Sequence, residues 1–281
     1  MNKLKPFSHH FVWLSCLFIL GSGIINLPFA FADKLTFLGF LIAFLIAIPL
    51  TFAVIKLDFL RLPILLLALY LAADTLVIFL KFIEDTLLGS RQNFWILLLF
   101  ILPLIYFCFR KPPEIFNFSL ICGLLCGLLL IFFFFATFKD FNFKNIYIYS
   151  LPNVKNLFYQ TVSYIKTVTL PIVVLTLFAK QNNIGTAVTL SGIFSGAALL
   201  IISILNSVLL FGAEMAGELS YPYANAISTV TFGNLFSRLD GFSYFIYFVT
   251  AIIKITVCVE VVKRQIGGLS MPSPAGEGGP L

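Results

Sequence analysis

Apolar residues fill this chain in long runs, and polar residues gather in the breaks between them. Eight runs can be counted, at about 10–32, 35–55, 62–88, 93–109, 115–136, 157–179, 184–211 and 240–262. A helix needs about 20 apolar residues to cross a bilayer, so each run predicts a membrane span and the fold class is all-α. The second run ends at Lys56-Leu57-Asp58 and Arg61. The fourth stops at Arg110-Lys111-Pro112-Pro113, where two prolines cannot prolong a helix. Longer polar stretches, 137–156 and 212–239, follow the fifth and seventh runs. After residue 264 the chain turns to glycine and proline (QIGGLSMPSPAGEGGPL), which predicts a disordered tail over 265–281 behind one transmembrane domain, 1–264.

The first run is interrupted. Gly21-Ser22-Gly23 stands in its middle, and Pro28 follows. Glycine costs a helix interior about 1 kcal/mol and proline about 3, so a segment that only had to span would do better without them. Two readings stay open. Irregular backbone at membrane depth is tolerated where it lines a cavity, which predicts a broken helix turning free N–H and C=O groups to a small polar ligand. Alternatively, the small residues serve only to let helices pack closely.

Composition fixes the class. Of the 281 residues, 60% are hydrophobic and 11% charged, against about 25% charged in a soluble domain. No soluble core hides that much apolar surface, so the chain is a polytopic membrane protein. The net charge of +6 does not suggest nucleic acid, because the lysines and arginines are scattered singly between apolar runs. They read as topology determinants and contacts to anionic lipid, and the short loops place the N-terminus inside. Both long polar stretches then face outward. Further spans follow the first run at once, so it reads as a retained span and not a cleaved signal peptide. The five cysteines lie within apolar runs and count as small apolar residues. Neither a disulfide framework nor a metal site is read from their spacing, or from the pair His9 and His10. No cofactor is expected.

Ionisable groups at membrane depth are candidates for function. Lys166 lies in the sixth run among Thr161, Ser163, Tyr164, Thr167 and Thr169, a polar stripe that predicts a cavity wall. Asp74 lies in the third run and Lys254 in the eighth. Each has a plainer reading, in which it snorkels to an interface or pairs with another span for packing. No catalytic set is present: there is no Ser/His/Asp grouping, no HExxH and no phosphate-cradling loop. Glu214 and Glu218 read as a solvated pair in a loop. The chain is not expected to be an enzyme.

Several motifs resemble the spore germinant-receptor B subunits, a family of spore germination permeases. They are Gly21-Ser22-Gly23-Ile24 with Leu27-Pro28, the stretch 79–89 ahead of Trp95, Leu219-Ser220-Tyr221-Pro222, and Arg238-Leu239-Asp240 with Lys254 beyond it. The resemblance covers residues 8–264 and places the chain in the amino acid–polyamine–organocation superfamily. It implies a LeuT-like five-plus-five inverted repeat, with broken first and sixth helices around a midplane ligand site. Eight spans would then be such a fold lacking its last two helices, as in a truncated or frame-shifted product. It further implies binding of a small germinant, often an amino acid, and assembly with an A subunit and a C lipoprotein in the spore inner membrane. The ligand-binding residues would be Gly21, Ser22, Gly23, Ile24, Asn26, Ser163, Tyr164, Lys166 and Thr167. Structural or coupling roles would fall to Pro28, Asp74, Pro171, Tyr221, Pro222, Arg238, Asp240 and Lys254. A secondary amino acid permease coupled to protons or sodium is the alternative.

Overall fold

The computed structural model describes residues 8–26, 36–56, 61–88, 94–146, 154–229 and 240–270. In an apolar medium the backbone has no water to bond to, and a helix satisfies its N–H and C=O groups within its own segment. The described residues accordingly contain helices and no strand. They are α1 (Ser8–Asn26), α2 (Thr36–Lys56), α3 (Arg61–Ile83) with a π-helical exit (Glu84–Leu88), α4 (Phe94–Cys108) and α5 (Pro112–Thr137). The sixth run is split into α6 (Val154–Tyr164), a π-helical turn (Ile165–Thr169) and α7 (Leu170–Gln181). Then come α8 (Thr186–Phe211), the short α9 (Ala213–Glu218) and α10 (Pro222–Ser228), and α11 (Asp240–Ser270). Each of the eight apolar runs is helical over its described residues. Among the described residues, six segments are long and apolar enough to cross a membrane: 38–56, 62–86, 112–140, 157–181, 186–211 and 241–267. The apolar part of α1 over 8–21 and the 15-residue α4 are shorter. The protein is an all-helical polytopic membrane protein.

Hydrogen bonds between helix ends show how the spans alternate. Lys180 Nζ donates to Val54 O (3.3 Å), Arg264 to Gln181 O (3.0 Å) and Lys263 to Cys108 O. These bonds gather the C-terminal ends of α2, α4, α7 and α11 on one side of the bundle. At the opposite end, Asn142 N–H and Asn145 Nδ2 both donate to Leu209 O (2.9 and 3.1 Å), tying the exit of α5 to the end of α8. There α8 stops at Gly212, whose φ of 78° is the left-handed conformation that glycine adopts without strain.

The central element is α1. Its residues 14–21 are all buried, as are Gly23 and Ile24. Small residues set its spacing from three neighbours. A Cβ on Gly192 of α8 would lie 2.8 Å from Ser15 Cβ, and one on Gly196 would lie 2.9 Å from Ile19 Cδ1. One turn further, a Cβ on Gly23 would run into the Leu200 side chain. The pairs 15/192, 19/196 and 23/200 advance together in steps of four, so α1 and α8 run parallel along a small-xxx-small seam. On another face, Gly123 and Gly127 of α5 admit the Trp13 indole, at 3.0 and 3.2 Å from the Cβ each would carry. Gly21 meets α11: its Cβ would lie 2.8 Å from Thr250 Cβ and 3.1 Å from the Thr250 backbone.

Two expectations are corrected here. No break occurs at Gly21-Ser22-Gly23, because α1 is helical through Asn26. The amides of Ser22, Gly23 and Ile24 lie in the helix interior, beyond its first turn, where each has a carbonyl four residues back to bond to. The glycines are there for packing on two faces, Gly21 against α11 and Gly23 against α8. The expected start of a disordered tail at residue 265 is also corrected. Residues 265–270 continue α11, because extending a formed helix adds one backbone bond per residue fixed. Residues 271–281 and Pro28 lie outside the described residues.

Candidate functional site

The sixth run leaves α-helical geometry where its hydroxyl residues cluster. Pro171 explains the place. It has no N–H to give, and in α geometry its ring would strike the carbonyl of Thr167. The chain widens into the π-helical turn Ile165–Thr169, closed by Leu170 N–H on Ile165 O five residues back. Within this segment one carbonyl lacks its usual helical donor. Such insertions are rare overall and frequent at functional sites. Two hydroxyls brace the turn. Thr167 Oγ1 donates to Ser163 O (3.1 Å), and Thr169 Oγ1 reaches across to Ala43 O of α2 (2.8 Å).

Lys166 leaves this turn toward α3. Its Nζ lies 3.1 Å from Asp74 Oδ1, and it also sits over the Tyr70 ring at 5.7 Å from the centroid. The Asp74 side chain is 16% exposed and that of Lys166 45%. Lys254, on α11, is 1% exposed and lies within electrostatic reach of both. Asp74 is the middle residue of the span 62–86, and Lys254 the middle residue of 241–267. The three ionisable residues flagged separately in the sequence thus converge near the midplane from three segments. Lys166 pairs with Asp74, and Lys254 adds a second ammonium within electrostatic reach, so the fully ionised cluster carries one excess positive charge. In a medium of low dielectric such an excess is costly, and it favours binding of an anionic group or loss of a proton.

The remaining site residues divide. Tyr164 is fully buried, with its ring edge-on to Phe40 of α2 (centroids 5.6 Å apart), and Thr167 is buried beside the turn. Ser163 is half-buried. Pro171 is an early residue of α7 and is buried. Ser22, Asn26 and Asp240 lie on described helices, but their side chains do not belong to the described part, and Arg238 lies outside it altogether. Lys166 is not an open lining group, since Asp74 engages it. Sequence reasoning passed over Tyr70, Gln160 and Asp85. A glutamine inside an apolar span, four residues before Tyr164, was the available signal for Gln160.

The Tyr221-Pro222 motif has a structural task at the far end of the bundle. Pro222 opens α10, where the missing N–H has no cost. Tyr221 Oη donates to Asp85 Oδ2 (2.9 Å) in the π-helical exit of α3. Its ring stands edge-on to Phe82 (4.9 Å), which also touches Tyr244 and Tyr247 of α11. Burial, then the Asp85 carboxylate, hold the Tyr221 hydroxyl protonated well above its ordinary value of 10.0. The raised value means that this contribution is complete below pH 10 and is lost only as pH rises through the raised value. Tyr221→Phe keeps the ring and removes the bond. It is expected to cost about 1.5–3 kcal/mol, the range for a bond to a charged group, and to flatten stability above pH 10. Urea denaturation of the two proteins from pH 7 to 11 measures both effects. An unchanged midpoint would show that the bond contributes nothing.

Compared with known proteins, the chain matches no family model, no curated protein and no solved structure.

Proposed function

We propose that this chain is a nutrient-sensing membrane subunit of the kind its motifs resemble, a spore germinant-receptor B subunit. On this reading it binds an amino acid near the midplane and passes the signal to an A subunit and a C lipoprotein in the spore inner membrane. The fold would be LeuT-like. The observation that carries the reading is the π-helical turn Ile165–Thr169, which interrupts the sixth span beside a charge cluster at mid-membrane. With the amides of Ser22, Gly23 and Ile24 inside α1, ligand contacts fall to Ser163, Tyr164, Thr167 and the turn carbonyls. The cluster's excess positive charge suits a ligand carboxylate. A second reading is favoured by Lys254: a buried ionisable amine within electrostatic reach of the Asp74–Lys166 pair is what a proton- or sodium-coupled permease needs.

Deletion of the gene is expected to abolish germination on at least one amino acid. Proteoliposomes of the purified protein are expected to accumulate no radiolabelled L-alanine beyond that of empty liposomes. Accumulation driven by a pH or sodium gradient would transfer the assignment to the permease. Normal germination on every nutrient would remove the germination role.

A further inference from the structure

Gln160 and Tyr164 are one turn apart on α6, directly before the π-helical turn. Gln160 is 1% exposed and Tyr164 is also 1% exposed. Neither amide atom of Gln160 has a hydrogen-bond partner, nor has the Tyr164 hydroxyl. A buried polar group without a partner is rare in folded proteins, and three on adjacent turns of one helix ask for an explanation. The packing around them is deliberate. Gly39 of α2 lets Gln160 lie close, since a Cβ there would be 3.2 Å from Gln160 Cβ. Phe40, the next residue, holds the Tyr164 ring edge-on. The nearby charges are spoken for, because Lys166 is turned to Asp74. What remains is an uncharged set: one acceptor at Gln160 Oε1, a donor at Nε2, and a hydroxyl.

We infer that Gln160 and Tyr164 form a subsite for a neutral carboxamide carried by a small solute. The carboxamide N–H donates to Gln160 Oε1, and its carbonyl accepts from Gln160 Nε2 and from the Tyr164 hydroxyl. That arrangement satisfies all three unpartnered atoms in one step. A carboxylate has no N–H to give and would bury its charge beside groups that cannot compensate it. An aliphatic group of the same size leaves all three unpaired, and a site built to hydrogen-bond rejects such an analogue strongly. The inference rests on the proposed reading of the sixth span as a small-solute site, and it names the chemistry of one part of the ligand.

The test uses the full chain in nanodiscs, with L-glutamine and L-asparagine as probes and L-glutamate and L-leucine as controls. Calorimetry is expected to show binding of at least one amide probe and of neither control. Gln160→Leu is expected to weaken that binding at least tenfold, and the isosteric Tyr164→Phe severalfold. Without any probe, both variants are expected to melt at or above the parent temperature, because each removes unpartnered polar atoms. Melting below the parent in both would mean that the groups already have partners such as water, and would overturn the inference. Binding of neither amide, or amide binding that Gln160→Leu leaves unchanged, would overturn it too. If L-alanine binds parent and Gln160→Leu equally while the amides do not bind, the small-solute reading stands and the subsite alone falls.

Discussion

Gly21→Leu is expected to yield no folded protein in the membrane. A Cβ at this position already lies 2.8 Å from Thr250 Cβ and 3.1 Å from the Thr250 carbonyl carbon and oxygen. Those atoms belong to the backbone and the branched root of a buried threonine, so no rotamer change clears them. Overpacking a core by one or two carbons costs about 1–3 kcal/mol, and leucine brings four. Gly21→Ala is the graded version, expected to lose 1–3 kcal/mol by the same principle and to remain soluble in detergent. Thr250→Gly removes the opposing Cβ and is expected to restore much of that loss, while adding its own helix penalty of about 1 kcal/mol. Gly23→Ala meets only the Leu200 side chain, which has freedom to turn, and is expected to be milder. Size-exclusion profiles and melting temperatures decide the matter. A monodisperse Gly21→Leu protein that melts with the parent would show that α1 and α11 are not in contact there.

Asp74→Asn is expected to be the most damaging single change among the charged groups. It removes the carboxylate that Lys166 engages and that lies within electrostatic reach of Lys254. Breaking a buried ion pair from one side costs about 3–5 kcal/mol, and the lower end applies because the Lys166 side chain is 45% exposed. Lys166→Gln in the same chain is expected to return part of that loss. Lys254→Met should behave in the opposite way. It removes the excess charge and substitutes an apolar chain of similar length, which in other buried sites has been neutral or stabilising by about 1–4 kcal/mol. Nutrient response or uptake should nevertheless disappear with it. A Lys254→Met protein less stable than the parent would mean that Lys254 serves the fold, and the charge cluster would lose its claim on function.

The helical, membrane-spanning character of the chain could be read from the sequence because bilayer thickness imposes a length, although six of the eight expected spans reach that length among the described residues. What the sequence concealed was which helix stands beside which. Gly21-Ser22-Gly23 has the composition of a break and also of a packing face. The deciding partners, Thr250 and Leu200, lie about two hundred residues away. Gly192 and Gly196 carried the complementary signal, but nothing local says that their seam receives α1. The sixth span was more legible. Proline and clustered hydroxyls disturb a helix locally, and the π-helical turn lies among them. Asp74, Lys166 and Lys254 were each conspicuous in an apolar run, whereas their convergence depends on three-dimensional packing. Gln160 was overlooked because one neutral amide is a weak signal until its lack of partners is seen.

The interlocked pairs between α1 and α8 restrict how this protein moves. Ser15, Ile19 and Leu200 each occupy a notch left by a glycine on the facing helix. Axial sliding would have to cross a full four-residue repeat, about 6 Å at 1.5 Å per residue, before side chains met notches again. The pair therefore works as a stiff strut that tilts as one body. Compliance has to come from elsewhere, and the widened turn between α6 and α7, like the π-helical exit of α3, has a spare residue to give. A signal entering at that turn would reach the far helices as a rotation of the strut, with its internal register intact.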